Sequence, residues 1–181
     1  MDPLQAFAEL ARRPKPKLFS YRPYGHPDTL CPNGKLWKRL NEEDKWQNWS
    51  NRPFQLEFHA AGRDHPYRLL LAANGVGKTE PACAETAMHL TGCYPDWWEG
   101  RRFDHPVKVW ACGISNATQK DALQPGLLGP DLSEGLGLGY IPRDRIIGKP
   151  TTRQAGISDV CDTVRVEHRT NGVKDGVSHL A

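Results

Sequence analysis

The stretch AANGVGKT, residues 72–79, decides the fold. It matches the Walker A pattern of a phosphate-binding loop, except that Ala72 stands where the pattern has its first glycine. Such a loop turns backbone N–H groups inward around phosphate oxygens, and a side chain at Gly75 or Gly77 would obstruct that turn. The stretch therefore predicts a phosphate-binding loop.

Two side chains at the end of this loop carry its chemistry. Lys78 is expected to meet the β and γ phosphates, and Thr79 is expected to place its hydroxyl on Mg²⁺. The dipole of a following helix adds positive potential. We therefore predict a nucleotide and Mg²⁺ as ligands, a catalytic role for Lys78 and Thr79, and a metal ligand in Thr79. The loop residues predicted to hold the nucleotide are Asn74, Gly75, Val76, Gly77, Lys78 and Thr79.

The segments around the loop alternate between strand and helix patterns. Residues 67–73 form a short apolar run typical of a buried strand, and residues 79–90 read as a helix closed by Gly92. Residues 107–114 and 116–128 repeat the strand and helix order. We predict an α/β fold of P-loop NTPase type, with a mostly parallel sheet and flanking helices.

The remaining segments complete the predicted organisation. A short helix is expected between Pro53 and Gly62, and residues 129–148 form a glycine-rich loop with a possible short strand at Tyr140 and Ile141. Residues 162–169 alternate like a half-exposed strand, followed by an Asn-Gly hairpin turn at 171–172. Helices at 3–13 and 35–51, with a linker, make residues 1–52 an N-terminal region, and residues 53–181 make a partial ATPase domain.

The composition restricts the class of protein only broadly. The chain has 181 residues, 38% hydrophobic and 25% charged, which suits one globular domain. A net charge of +3 is too small to indicate a nucleic-acid partner by itself. No apolar run approaches the ~18 residues of a membrane span, and no secretory signal opens the sequence, so we expect no membrane partner and a cytoplasmic location. Five scattered cysteines predict reduced thiols rather than disulfides or zinc.

The loop and several later stretches together resemble the large subunit of tailed-phage terminases. The most specific is HLTGCYPDWWEGRRFDHP at 89–106, and the similarity continues through 108–129 and 137–147. The resemblance implies an ATP-driven motor that moves DNA into a procapsid, with an N-terminal P-loop ATPase and a C-terminal nuclease. It also implies double-stranded DNA, a terminase small subunit, a portal protein and further copies of the chain as partners, in the host cell cytoplasm.

The resemblance assigns roles to two residues upstream of the loop. Gln55 looks like the glutamine that contacts adenine in the family, since an amide offers both a donor and an acceptor to the purine edge. The alternative is a surface helix residue. Arg68 is close enough in sequence to approach the nucleotide, but we favour a solvated or ion-paired arginine at the flank of a strand.

A Walker B strand, which ends an apolar run in Asp with an adjacent Glu, is missing after Thr79. The nearest candidates, Asp159 and Asp162, lack that context. We therefore expect the front part of a terminase, incomplete at its C-terminus and inactive by itself. Two alternatives remain open: a non-catalytic prophage remnant, or a different P-loop NTPase such as a helicase or a small-molecule kinase.

The PDWWEGRRF stretch contains aromatic and basic residues that resemble a nucleic-acid surface. Trp97 and Trp98 are expected to pack a loop against the ATPase core rather than to stack on bases. Arg101 and Arg102 are expected to lie in a solvated loop, with an arginine finger acting in trans as the alternative.

Overall fold

The computed structural model describes residues 17–21, 54–72, 77–152 and 159–181. The predicted helices at 3–13 and 35–51 and the loop residues Asn74, Gly75 and Val76 lie outside the described residues. The described ranges include Gln55 and the last three residues of the predicted loop, at positions 77–79.

Helical segments precede and follow the loop. The first three are α1 (Lys17–Ser20), α2 (Phe54–Ala61) and α3 (Thr79–Thr91). A continuous helical stretch then consists of α4 (Asn116–Thr118), a π-helical turn (Gln119–Leu123) and α5 (Gln124–Leu127), and a 3₁₀ turn covers Arg143–Arg145. The predicted helices after Pro53 and Thr79 and the helical stretch from Asn116 are confirmed.

The sheet is mixed rather than mostly parallel, which corrects the prediction. Its strands are β1 (Lys108–Val109), β2 (Thr151–Thr152), β3 (Cys161–Thr170) and β4 (Val173–Leu180), in the order β1-β4-β3-β2. Among these described strands only β1 and β4 pair in parallel, whereas β3 is antiparallel to both of its neighbours. For β3 and β4 the reason is local, because a two-residue turn can join only antiparallel strands.

The β3–β4 hairpin is the part of the sheet that its sequence predicts best. Asn171 and Gly172 have φ values of 51° and 82°, which fit a type I′ turn, and Thr170 pairs with Val173 across it. The side chains of Val164, Val166 and His168 alternate into the interior along β3. Both the predicted strand and the predicted turn are confirmed.

The predicted strand at 67–73 is wrong for its described part, residues 67–72, which form no strand. Tyr67, Leu69 and Leu71 are 91%, 80% and 81% exposed. An apolar run becomes a buried strand only where neighbouring strands pair with it and other elements cover its faces, and none of the described strands pairs with this segment. The short strand predicted at Tyr140 and Ile141 is also wrong, since these residues lie in bends.

The core forms between α3, the hairpin and the glycine-rich segment. One side of α3 supplies Ala84, Ala87, Met88 and Leu90, and the sheet supplies Val164, Val166 and Leu180. Tyr140 is buried against α3 and donates a hydrogen bond to Glu80. Burial and that bond raise the pKa of Tyr140 well above its ordinary value.

The cysteines that the structure describes are free thiols, namely Cys83, Cys93, Cys112 and Cys161. Burial raises the pKa of Cys83 and Cys161 to about 11. Within the described parts of the chain, no helix has the length and apolar character needed to cross a membrane.

Gly92 ends α3 where the helix meets the hairpin. Its φ of 69° is left-handed, and its N–H donates to the carbonyl oxygen of Met88 at 2.8 Å. A Cβ at this position would overlap the carbonyl oxygen of Arg169 and lie 2.9 Å from Nε2 of His168. Glycine is therefore required both by the backbone conformation and by the close approach of β3.

We expect Gly92→Ala to lower the free energy of unfolding by about 3 kcal/mol, because it adds steric overlap to left-handed strain. Gly172→Ala is the matched control, since Gly172 has a φ of 82° and an added Cβ there would meet no neighbouring group within 4 Å. The control is expected to cost only about 1 kcal/mol of strain. Urea unfolding of both variants measures the difference, and equal losses would contradict the packing described here.

Candidate nucleotide-binding site

The described ends of the loop are held by two side chains. Lys78 Nζ donates to the carbonyl oxygen of Ala72 at 2.7 Å, which ties the end of the loop back to its start. Gln55 Nε2 donates to the carbonyl oxygen of Gly77 at 2.9 Å. Gly77 has a φ of 79°, a conformation that favours glycine. Gln55, Gly77 and Lys78, which the sequence predicted as site residues, therefore lie together.

The bond from Gln55 also orients the backbone. In a trans peptide the C=O and the next N–H point in opposite directions, so a Gly77 carbonyl directed at Gln55 leaves the Lys78 N–H pointing away from it. No described peptide bond is cis. The Lys78 N–H is therefore directed to the side of the peptide opposite Gln55.

Helix α3 begins at this point. It is 13 residues long, Thr79 is its first residue, and the Lys78 side chain makes no capping hydrogen bond to its first turn. Thr79 is exposed. The first N–H groups of a helix have no partners within the helix, and the dipole favours an anion beside them. The start of α3 therefore has the backbone donors and the dipole end that favour an anion, and the phosphate and metal roles of Thr79 stay predictions.

Gln55 is 3% exposed, so the alternative of a surface helix residue is wrong. The helix α2 holds it against the loop. Its adenine contact stays a prediction, and the observed contact with the backbone of Gly77 is one that the sequence did not suggest.

Arg68 is ion-paired, as we favoured, and its partner is Glu85 of α3. Arg68 Nη1 lies 3.2 Å from Glu85 Oε2, and Arg68 Nη2 donates to Glu85 Oε1. Arg68 Nη1 also donates to the carbonyl oxygen of Phe58 at 2.6 Å. The guanidinium therefore joins the segment before the loop to α2 and to α3.

Glu85 receives further bonds from two histidines. His59 Nδ1 lies 2.8 Å from Glu85 Oε2, and His89 Nε2 lies 3.3 Å from Glu85 Oε1. The other ring nitrogens face phenols: His59 Nε2 is 3.0 Å from the Tyr21 hydroxyl, and His89 Nδ1 is 3.0 Å from the Tyr94 hydroxyl. Each imidazole therefore bridges the Glu85 carboxylate and a tyrosine hydroxyl.

These bonds determine the charge state of Glu85, whose side chain is 9% exposed. Burial alone raises the pKa of Glu85, but hydrogen bonds from His59, His89 and Arg68 outweigh it and place the pKa far below its ordinary value. This cluster was not predicted from the sequence. The available signal was a glutamate on the otherwise apolar, buried side of α3.

The PDWWEGRRF stretch packs against α3, as predicted for Trp97 and Trp98. Trp98 is 4% exposed and lies 5.0 Å from the His59 ring and 5.8 Å from the His89 ring. Trp97 lies 6.1 Å from the ring of His59. Arg102 lies over the Tyr94 ring at 5.4 Å. These aromatic residues cover the Glu85 cluster.

The carboxylate candidates for a Walker B role remain outside any such motif. Asp159 is exposed at a turn with a φ of 62°, and Asp162 belongs to β3 beside a cavity that Ala111 and Leu180 also line. Among the described residues, no group of three or more His, Cys, Asp and Glu side chains is arranged to hold a metal ion. Thr79 remains the one metal ligand that the sequence predicts, and it lies within the described residues.

The fold is that of an α/β protein. Its candidate phosphate site is the start of α3, which follows Gly77 and Lys78. The chain is 34% identical over 164 residues to the terminase large subunit of Salmonella phage P22, which relates it to phage terminases. The match covers 80% of this chain and 32% of that protein, so the chain spans about a third of its relative's length. No family model and no solved structure matches the chain.

Glu85→Gln is expected to lower the free energy of unfolding at pH 7 by about 3 kcal/mol, because it removes one partner of a buried ion pair. The folded-state pKa of Glu85 is depressed, so its ionisation stabilises the fold above about pH 4.3 and this contribution is lost as the pH falls further. The gap between parent and variant should therefore shrink by roughly 1.4 kcal/mol per pH unit below that value. Urea unfolding from pH 7 to pH 3 measures it.

His59, Arg68 and His89 face this carboxylate in both proteins, so the gap measures Glu85 together with its bonds to these partners. A gap that stays constant down to pH 3 would contradict an ionised, hydrogen-bonded glutamate.

Proposed function

We propose that the chain is the ATP-binding part of a terminase large subunit, the motor that drives phage DNA into a procapsid. The observation that carries this proposal is the position of Lys78. The residue lies in the Walker A stretch at the start of α3, and its ammonium group donates a hydrogen bond to the carbonyl oxygen of Ala72. The relationship to a phage terminase large subunit supports the choice of motor over a helicase or a small-molecule kinase.

The chain's own residues supply distinct parts of the proposed site. Lys78 exchanges the Ala72 carbonyl for the β and γ phosphates, because a phosphate is a stronger acceptor for an ammonium group. The first N–H groups of α3 donate to phosphate oxygens, and Thr79 provides a hydroxyl ligand for the metal. Bound Mg²⁺ would neutralise part of the charge on the phosphates.

The residues outside the described parts complete the proposal. Asn74, Gly75 and Val76 are proposed to surround the phosphates with backbone N–H groups, as the sequence pattern implies. Gln55 is proposed to contact adenine from its position beside Gly77. In this role the chain would act in the host cytoplasm with double-stranded DNA, a terminase small subunit, a portal protein and further copies of itself.

Lys78→Ala is expected to weaken the binding of a non-hydrolysable ATP analogue with Mg²⁺ by at least tenfold, since a charged hydrogen bond to phosphate is lost. Isothermal calorimetry measures the affinity. Lys174→Ala is the matched control, because it removes the same charge from a lysine that pairs with Glu167 in the hairpin. Equal affinity for parent and Lys78→Ala would overturn the proposed function.

We also propose that this polypeptide, when no other protein is present, binds ATP without hydrolysing it. The observation behind it is that residues 80–181 contain no apolar run ending in Asp-Glu, and phosphate transfer to water requires carboxylates that hold Mg²⁺ and position the water.

Purified chain of residues 1–181 is therefore expected to release no phosphate above the level of Lys78→Ala when it is incubated with ATP and Mg²⁺. A coupled phosphate assay measures the rate. Phosphate release that disappears in Lys78→Ala would contradict this expectation, and Asp159→Asn and Asp162→Asn would then identify the carboxylate.

A further inference from the structure

The Glu85 carboxylate joins three parts of the chain that converge on the loop. His59 belongs to α2, Arg68 belongs to the segment before the loop, and Glu85 itself belongs to α3. Since the carboxylate is buried, its partners cannot be exchanged for water without a large loss of hydrogen bonding. The three segments therefore keep one relative arrangement as long as Glu85 is ionised and bonded.

The connection to α2 is the one that reaches the loop most directly. His59 and Gln55 are four residues apart on α2, so they lie on the same side of the helix, one turn apart. Both are buried, at 1% and 3% exposure. His59 bonds to Glu85, and Gln55 bonds to the Gly77 carbonyl. A rotation of α2 that broke one contact would displace the other.

His59 is fixed from its far side as well. Its Nε2 lies 3.0 Å from the Tyr21 hydroxyl, and its ring lies 5.0 Å from that of Trp98. The imidazole is therefore a rigid connector between the carboxylate and α2 rather than a mobile side chain. Glu85 therefore helps to fix the rotation of α2 through His59.

We propose that Glu85 is a positioning residue for the nucleotide site: through His59 it sets the rotation of α2, and through Gln55 it holds the Gly77 peptide in the orientation that receives phosphate. This proposal rests on the proposed nucleotide binding. Glu85 acts on the ligand only through these residues.

A purely electrostatic effect of Glu85 would change the affinity in the opposite direction from a positioning effect, so the direction of the change distinguishes the two. Glu85→Gln removes a negative charge from the helix that meets the phosphates, so charge alone predicts tighter binding of an ATP analogue. Loss of positioning predicts weaker binding, because only the fraction of molecules with a correctly held loop can bind. If that fraction falls to about one in ten, affinity falls about tenfold.

Glu80→Gln is the matched control. Glu80 lies on the same helix, one residue beyond Thr79, and bonds to Tyr140 rather than to α2. A glutamine can still accept the bond from Tyr140. This variant removes the same charge closer to the loop and is expected to bind the analogue at least as tightly as the parent.

The experiment is calorimetry of the full chain with a non-hydrolysable ATP analogue and Mg²⁺, well below the Tm of every variant. We expect about tenfold weaker binding for Glu85→Gln, and a combined loss with Gln55→Ala that is smaller than the product of the two single losses, since both changes release the same peptide. Independent, multiplying effects of the two changes would overturn the proposed route through α2. Unchanged or tighter binding by Glu85→Gln would overturn the positioning role itself.

His59→Gln keeps the proposal testable if Glu85→Gln does not fold, because it removes the His59 contact between Glu85 and α2 and leaves Arg68 bonded to Glu85 and to the Phe58 carbonyl oxygen. It is expected to weaken binding by a similar factor, and parent-like affinity would overturn the proposal. Failure of the proposed function looks different. In that case the parent and Lys78→Ala bind the analogue equally, whatever residue stands at position 85.

Discussion

The buried carboxylate of Glu85 is the constraint on which the loop end of the structure depends. A charge in the interior persists only when donors surround it, and here the donors come from α2, from the segment before the loop and from the next turn of α3. The aromatic residues around Trp98 then cover the cluster. Polar pairing and hydrophobic cover together give these segments one arrangement.

Helix α3 connects the Glu85 cluster to contacts at both of its ends. At its start, Lys78 and Gln55 hold the described edges of the loop. At its end, Gly92 allows the backbone of β3 to approach closely. The same helix therefore links the candidate phosphate site to the hairpin, and the apolar residues between those ends form the core with Val164 and Val166.

Features that depend on residues close in sequence were predictable, as the Asn-Gly turn at 171–172 and the start of α3 at Thr79 show. The strand predicted at 67–73 failed in its described part because burial depends on neighbouring strands, which an apolar run does not reveal. The mostly parallel sheet failed because strand and helix alternation did not account for the hairpin. Within the site, the bond between His59 and Glu85 joins residues 26 positions apart. Such a pair follows no sequence period, so a single sequence contains no signal that selects it.

Whether the start of α3 and the Gln55 amide form one nucleotide site is tested most directly by NMR titration of ¹⁵N-labelled chain with a non-hydrolysable ATP analogue and Mg²⁺. We expect saturable shifts at the backbone amides of Gly77, Lys78 and Thr79 and at the side-chain amide of Gln55. Saturable shifts confined to other parts of the chain, or no shifts at all, would contradict a nucleotide site at this end of α3.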